Sequence, residues 1–489
     1  MRRRVRVSAL LALAACLDNS GPEDPAVARV EILGDTLLSG LPGDTLPGEL
    51  RVLVTDHRGE PLRGIEVAWS TSDGGSFAPA VVPTNGDGIA RTRWRLGIAP
   101  GAQTARALVL GVEDVRFEAT AVGFTAVRLS TGTGPHTCAL DDDGSAFCWG
   151  RNWGGELGDG TTNDSEVPVP VAGSLSFTQI VTGHAYQFAG FTCGLATSGE
   201  VYCWGSNSVG ELGDGGSASM RFEPRPIAVP AGTRFTTLSA FYGGTCGVTT
   251  LGDAYCWGMN SGGRFGNGLA GGTAATPTLV AGNLRWQQVA LGDDRACGIS
   301  SDSRVYCWGG SLDLLGLDPA LAPLTEPMLF DRGPVFDSLS VSAYSQCGTR
   351  AGSPHAGYCW GSAFHVGAIP RDFGYVTSPS VVAPPTLFRS IKASGSMYFG
   401  LSIDGHLYLW GNYWHDHWGP GAPVRMTTAF RLRAMGTNEA GACGIEDRTS
   451  TVYCWVLWGP GREPVAVPPA SESGSGAGAN TSSASGRTL

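Results

Sequence analysis

Apolar and polar positions alternate with a two-residue period through residues 27–122. Leu50, Val52 and Val54 form one such run, Ile65, Val67 and Trp69 a second, and Val115, Phe117 and Ala119 a third. Successive side chains of a strand point to opposite faces, so each run predicts a strand with one buried face. Turn formers separate the runs, as in Asp56-His57-Arg58-Gly59 and Asn85-Gly86-Asp87-Gly88. Short alternating strands between turns predict a β-sandwich over 27–122. Beyond the first 16 residues no long apolar pattern of 3.6-residue period occurs, so the whole chain is expected to be all-β.

From residue 124 a longer period is laid over the short one. A Cys-Trp pair or its equivalent recurs at 148, 203, 256, 307, 359, 409 and 454, at intervals of 55, 53, 51, 52, 50 and 45 residues. Each repeat opens on an aromatic residue: Phe124, Phe177, Phe235, Trp286, Phe336, Phe388 and Phe430. After the Trp come turns such as Gly155-Glu156-Leu157-Gly158, Gly210-Glu211-Leu212-Gly213 and Gly263-Arg264-Phe265-Gly266. A fixed period of this length marks stacked supersecondary units, none of which buries its apolar face alone.

Cysteine spacing places a hairpin inside each unit. Cys138 and Cys148, Cys193 and Cys203, Cys246 and Cys256, and Cys297 and Cys307 are each ten apart; Cys347 and Cys359, and Cys443 and Cys454, are twelve and eleven apart. With Cys193 facing Cys203, the loop is Thr197-Ser198-Gly199, a three-residue turn whose last position favours left-handed glycine. Gly144, Gly252 and Gly405 fall at the same place, and Ser303 is the exception. Facing cysteines lie within disulfide range, and each bridge contributes about 2–3 kcal/mol by closing a short loop. In repeat six Phe399 and Leu409 stand together where both cysteines would fall, as an intrarepeat disulfide predicts. Zinc is the alternative, but metal sites place their cysteines closer together.

The repeat resembles that of the regulator of chromosome condensation family, most clearly at Thr192-Cys193-Gly194-Leu195 and Gly199-Glu200-Val201-Tyr202-Cys203-Trp204-Gly205. The resemblance implies a seven-bladed β-propeller over 124–468, with the Trp packed between blades. Repeats six and seven depart from it, lacking both cysteines and carrying Val456 for Gly respectively. Val54-Thr55-Asp56-His57-Arg58-Gly59-Glu60-Pro61-Leu62 and Gly88-Ile89-Ala90 before Trp94 resemble bacterial Ig-like repeats, which implies a spacer domain over 27–122. Arg2, Arg3, Arg4 and Arg6 precede a short apolar stretch ending in Leu13-Ala14-Ala15-Cys16, which is similar to a bacterial lipobox. That resemblance implies a signal peptide over 1–15, acylation of Cys16, a tether over 16–26 and, from Leu17, sorting to the outer membrane. An ordinary signal peptide is the alternative. Removing the six pairs from 13 Cys leaves Cys16 alone.

Composition narrows the function. A formal charge of −10 argues against a nucleic-acid partner. Residues 469–489, rich in Ser, Gly and Ala, are expected to be a disordered tail. No zinc-protease, phosphate-loop or nucleophile-elbow motif occurs, so no catalytic residue, cofactor or metal is assigned. Asp159 and Asp214 lie at turns without forming a defensible carboxylate pair. His136 reads as a structural hydrogen-bonding residue. Two stretches remain as a candidate binding surface. Tyr413, Trp414 and Trp418 surround His415-Asp416-His417, a weak metal candidate; His184, Tyr186, Phe188 and Phe191 occupy the longest loop. From opening aromatic to first cysteine position there are eleven residues in repeats three to six, but fourteen, sixteen and thirteen in repeats one, two and seven. Those three longer loops are expected to cluster on one sector of one face, unless they drifted neutrally. The expected protein is a monomeric, lipid-anchored binding or scaffold protein of the cell envelope, recognising a protein or surface ligand and contacting the membrane only through its anchor. An enzyme inhibitor, a carbohydrate-active enzyme and a nucleotide-exchange factor are the alternatives.

Overall fold

Both periods become sheets. The computed structural model describes residues 27–34, 37–40, 45–97, 101–121, 125–184, 189–310, 323–352, 355–362, 375–394, 397–411, 423–426, 428–438, 441–456 and 465–467. The chain divides into two units, one ending at Ala121 and one running from Val122.

In the first unit the strands Arg29–Ile32, Thr45–Thr55, Ile89–Arg95 and Ser76–Ala78 form one sheet in that order. Leu37–Gly40, Val115–Ala121, Gly101–Leu108, Glu66–Thr71 and Val81–Pro83 form the other. Val52, Val54 and Trp94 from the first sheet meet Val67, Trp69 and Phe117 from the second in one core. The alternation therefore points inward from both sides. Turn chemistry supports it: the Asp56 carboxylate accepts from the amides of Arg58 and Glu60 at 2.8 and 2.9 Å. Asn85 Oδ1 does the same for Asp87 and Ile89.

The second unit is a β-propeller, with seven sheets among the described residues. Blade one comprises Arg128–Leu129, His136–Leu140, Ala146–Gly150 and Ser165–Pro170, running outward from the axis. Blades two to seven begin with Phe177–His184, Phe235–Phe241, Trp286–Leu291, Phe336–Val341, Phe388–Ser394 and Leu432–Asn438, and each adds three antiparallel strands in chain order. The ring closes by packing: Ala126, Leu129, Ala139 and Trp149 of blade one share a core with Cys443, Ile445 and Val452 of blade seven. The Thr437 amide donates to the Ser130 carbonyl at 3.1 Å, and Arg433 donates to the Ala126 carbonyl at 2.6 Å.

Second and third strands of each blade form the hairpin that cysteine spacing implies. Six disulfides join Cys138–Cys148, Cys193–Cys203, Cys246–Cys256, Cys297–Cys307, Cys347–Cys359 and Cys443–Cys454, with Cα atoms 4.0–4.1 Å apart. Phe399 and Leu409 pair in the same register in blade six, both buried. Gly144, Gly199, Gly252 and Gly405 have φ between +81° and +86°, and Ser303 is forced to +64°.

Inner strands expose backbone groups toward the axis, and side chains from neighbouring blades satisfy several of them. The Gln179 amide both donates to the Leu238 carbonyl and accepts from the Leu238 amide, at 2.8 and 2.9 Å. Gln288 repeats this on Leu339 at 3.0 Å. Each glutamine thus stands in for a strand partner on an otherwise unpaired edge.

Pairing register corrects two repeat starts. The Phe177, Phe235, Trp286, Phe336 and Phe388 position is occupied in blade seven by Leu432, paired with Glu446, not by Phe430. Phe430 stacks instead on Tyr453, with ring centroids 4.1 Å apart. In blade one, Leu129 faces Ala139, which puts buried Ala126 in the aromatic slot, two residues after Phe124. Phe124 lies outside the described residues.

Left-handed backbone is costly for a residue with a Cβ. Ser303→Gly is therefore expected to stabilise the chain by about 1 kcal/mol, seen as a higher urea midpoint at unchanged slope. An unchanged or lower midpoint would contradict the turn assignment.

Candidate interaction surface

The antiparallel order puts two sets of connections at one end of the propeller: first-to-second strand loops and third-to-fourth strand turns. The turns are built alike in blades one to three. Asn152, Asn207 and Asn260 each accept, through Oδ1, the amide five residues on, that of Leu157, Leu212 or Phe265, at 2.8–3.1 Å. Those three apolar side chains are fully buried. The following glycines, Gly158, Gly213 and Gly266, have φ of +71°, +62° and +61°. They lie against the Trp of the next blade: a Cβ on Gly158 would stand 2.5 Å from Trp204 Nε1, and one on Gly213 2.7 Å from Trp257 Cδ1. Trp204 donates to the Glu156 carbonyl and Trp308 to the Arg264 carbonyl, both at 2.9 Å. Sequence-derived packing of the Trp between blades thus has a specific partner, the preceding turn.

In blades one and three the second residue of the turn sends its side chain to the next blade's inner loop, whereas in blade two Glu211 accepts from Ser208 and Val209 of its own turn. Glu156 accepts from the Gly154 amide at 2.6 Å and from the Gly190 amide, across the blade boundary, at 3.1 Å. Burial pushes its carboxyl up to about 7, opposed by these backbone donors. In blade three the residue is Arg264, and the polarity inverts. Its guanidinium donates to the carbonyls of Gly292 and Asp293 in blade four at 2.9 and 2.8 Å, and to Tyr242 in its own blade at 2.6 Å. Burial pulls the Arg264 pKa down to about 10, while Asp293 and Asp294 favour its charge.

These struts hold a run of chemically distinctive loops across blades two to five. His184 and Tyr242 meet edge to face with centroids 5.5 Å apart. In blade four, burial raises the Asp293 pKa, and Asp294 pairs with buried Arg295 at 2.6 Å. Arg295 also donates to the Ala343 carbonyl at 2.9 Å, beside Tyr344 of blade five. On the blade-one turn at the same end, Trp153 is 57% exposed beneath the Arg151 guanidinium.

The sequence-derived surface is partly redrawn. His184 lies in this sector. Tyr186 and Phe188 fall outside the described residues, as do Tyr413, Trp414, Trp418, His415, Asp416, His417 and Cys16. Phe191 is no surface residue: it lies in the second strand of blade two, Gly190–Ala196, fully buried, and a Cβ on Gly183 would stand 2.2 Å from its ring. Clustering of three longer loops also fails. Counting from Leu432 to Cys443 gives eleven residues, the common length, and from Ala126 to Cys138 twelve. Only blade two keeps a substantial insertion. Asp159 and Asp214 anchor turns, accepting from Thr161 and Gly216. Tyr242, Arg264, Asp293, Asp294 and Tyr344 were not singled out as surface residues by sequence; Arg where two repeats have Glu was the available signal. Among the described residues no group of three or more His, Cys, Asp or Glu could hold a metal ion.

Comparison with known proteins follows the same repeats. A family model described as the regulator of chromosome condensation (RCC1) repeat matches residues 143–189, and a second so described matches 189–211 and 286–312. The chain is similar to the ultraviolet-B receptor UVR8 of Arabidopsis thaliana, at 26% identity over 310 residues, 60% of this chain and 67% of that protein. It is also similar to the E3 ubiquitin-protein ligase HERC2 of Mus musculus, at 25% identity over half of this chain but 5% of that protein. Among solved structures, human WBSCR16 aligns with a TM-score of 0.56 at 18% identity, covering 76% of this chain and 96% of that one. Yeast RCC1 (Prp20), solved bound to Kap60, aligns with a TM-score of 0.54 at 20% identity, covering 66% and 82%. At such identities the structural likeness establishes the fold alone.

His136 offers a pH test of the blade-one seam. The Thr192 hydroxyl donates to the Glu156 carbonyl at 2.9 Å, so His136 Nε2, 2.6 Å from that hydroxyl oxygen, must be the donor. The ring is buried and neutral, and burial lowers its pKa to about 3. Below the ordinary value of 6.5 the unfolded chain takes up the proton and the folded chain does not, so stability from this group is lost as pH falls from 6.5 toward 3. His136→Gln, which can still donate to Thr192, is expected to lose less thermal stability than wild type across that window. Parallel curves would contradict the assignment.

Proposed function

We propose that this chain, which carries RCC1 repeats on a seven-bladed propeller, is a recognition protein that binds a protein partner through the loop end of blades two to five. One observation carries this reading. His184, Tyr242, Asp293, Asp294 and Tyr344 are gathered on loops fixed from beneath by Arg264 and Arg295, each 2% exposed or less. Tyrosine supplies large contact area at small entropic cost, and buttressed loops are pre-organised for binding. Partner binding by a propeller of this fold has a precedent in yeast RCC1, solved in complex with Kap60.

The remaining elements fit an envelope protein. We read the two-sheet first unit as an Ig-like spacer and Cys16 as the acylated residue that ties the chain to a membrane. Support comes from the six intrarepeat disulfides, which take up twelve of the 13 cysteines and suit an oxidising compartment.

Affinity capture from the detergent-solubilised envelope tests both parts. Wild type and a Leu251→Ser control, altered at a 75% exposed residue of the opposite end, are expected to recover the same partner. A Tyr242→Ala/Tyr344→Ala chain should recover at least about ten times less, as for loss of two interface anchors. Equal recovery by all three would overturn the surface assignment. Cys16→Ser is expected to abolish fatty-acid labelling and release the chain from membranes; retained labelling would overturn the anchor.

A further inference from the structure

The 33 basic residues comprise 32 Arg and one Lys, and the single Lys sits in the middle of the propeller. Lys392 lies on the inner strand of blade six, paired with Phe399. It lines an axial cavity of about 130 Å³ to which the inner strands of blades two to six and short segments of blades one and seven contribute. Among the described residues Arg supplies surface pairs and buried struts, as at Arg285 and Arg264, where its planar fork can make several bonds at once. Only at the axis does the chain use a compact ammonium.

That ammonium has no carboxylate partner among the described residues, and no Asp or Glu lines the cavity. Lys392 is half-buried on the cavity wall, and desolvation by the surrounding blades lowers its pKa, so a counter-charge would stabilise its ammonium. Two serine hydroxyls line the same cavity. Ser340 Oγ accepts from the Ala393 amide at 2.9 Å, and Ser239 Oγ accepts from the Leu291 amide at 3.1 Å. Each serine has thereby committed an oxygen lone pair to backbone, and its hydrogen finds no acceptor among the described residues. Gln179 and Gln288 of the wall are already spent on strand edges, and the Thr437 hydroxyl on the Ala393 carbonyl. What remains unused in the cavity is a set of donors around one positive charge.

We propose that the axial cavity is a binding site for one small oxyanion of phosphate or carboxylate type, held by Lys392 with the hydroxyls of Ser340 and Ser239. The cavity volume corresponds to on the order of four waters at liquid density, the size of inorganic phosphate or acetate. An anion there bridges inner strands of blades three, five and six, and so ties the ring together at its axis. This site stands independently of the partner-binding surface proposed above.

Thermal unfolding of the full chain tests it, with sodium phosphate, sodium acetate and sodium chloride compared at matched ionic strength. A saturable rise in Tm with phosphate, with acetate or with both, and none with chloride, is expected for wild type. The stronger response identifies the anion class. Lys392→Met should abolish the response, and Ser340→Ala should raise the apparent Kd at least about five-fold, as for a lost charge-assisted hydrogen bond. Should Lys392→Met not fold, Ser340→Ala decides. A Tm that follows ionic strength alone, or a response unchanged in the folded variants, overturns the proposal.

Discussion

Three seams among the described residues of the propeller are built on a close contact between a tryptophan ring and a glycine turn of the preceding blade. Sheets packed face to face need a flat, apolar filler, and an indole supplies it only if nothing projects from the facing turn. Gly158, Gly213 and Gly266 leave that space and adopt the left-handed backbone that ends the turn. Where the carbonyl is also in range, the indole N–H is satisfied by it, as for Trp204 and Trp308. The disulfide hairpin then acts within a blade, holding the strand that presents the Trp.

From this contact the functional end follows. In blades one and three, once the turn is docked on the next Trp, its second residue reaches the next blade's inner loop. Glu156 meets an amide there and Arg264 meets carbonyls, so one architectural position carries either sign of side chain provided the loop offers the complementary backbone group. The Arg version sits under Tyr242 and Asp293, where the loop end is chemically richest. Rigid placement of those groups is the physical basis for reading that sector as a recognition surface.

Much of this was legible in the sequence, for identifiable reasons. Hairpin geometry maps directly onto cysteine spacing and the third-position glycine, and even the exception, Ser303, adopts the same backbone. Repeat starts were legible in blades two to six, where the slot holds an aromatic ring. They were misread at both ends of the ring because Ala126 and Leu432 fill that slot while Phe124 and Phe430 lie two residues away. Phe191 was misjudged because position in a long loop says nothing of a ring turned beneath Gly183. The Arg264 strut escaped because its partners lie 28 and 29 residues on, a separation that only the stacking of blades brings to contact.

Hydrogen–deuterium exchange of Gly213→Ala, followed alongside thermal unfolding, addresses the seam most directly. A methyl group at this position would stand 2.7 Å from the Trp257 ring and force a left-handed backbone on alanine. A lower Tm is expected, with faster exchange in the 207–219 turn and in the third strand of blade three that carries Trp257, while the first unit exchanges as in wild type. An unchanged Tm with unchanged exchange across both segments would contradict it, because the blades would then be held together by something other than this contact.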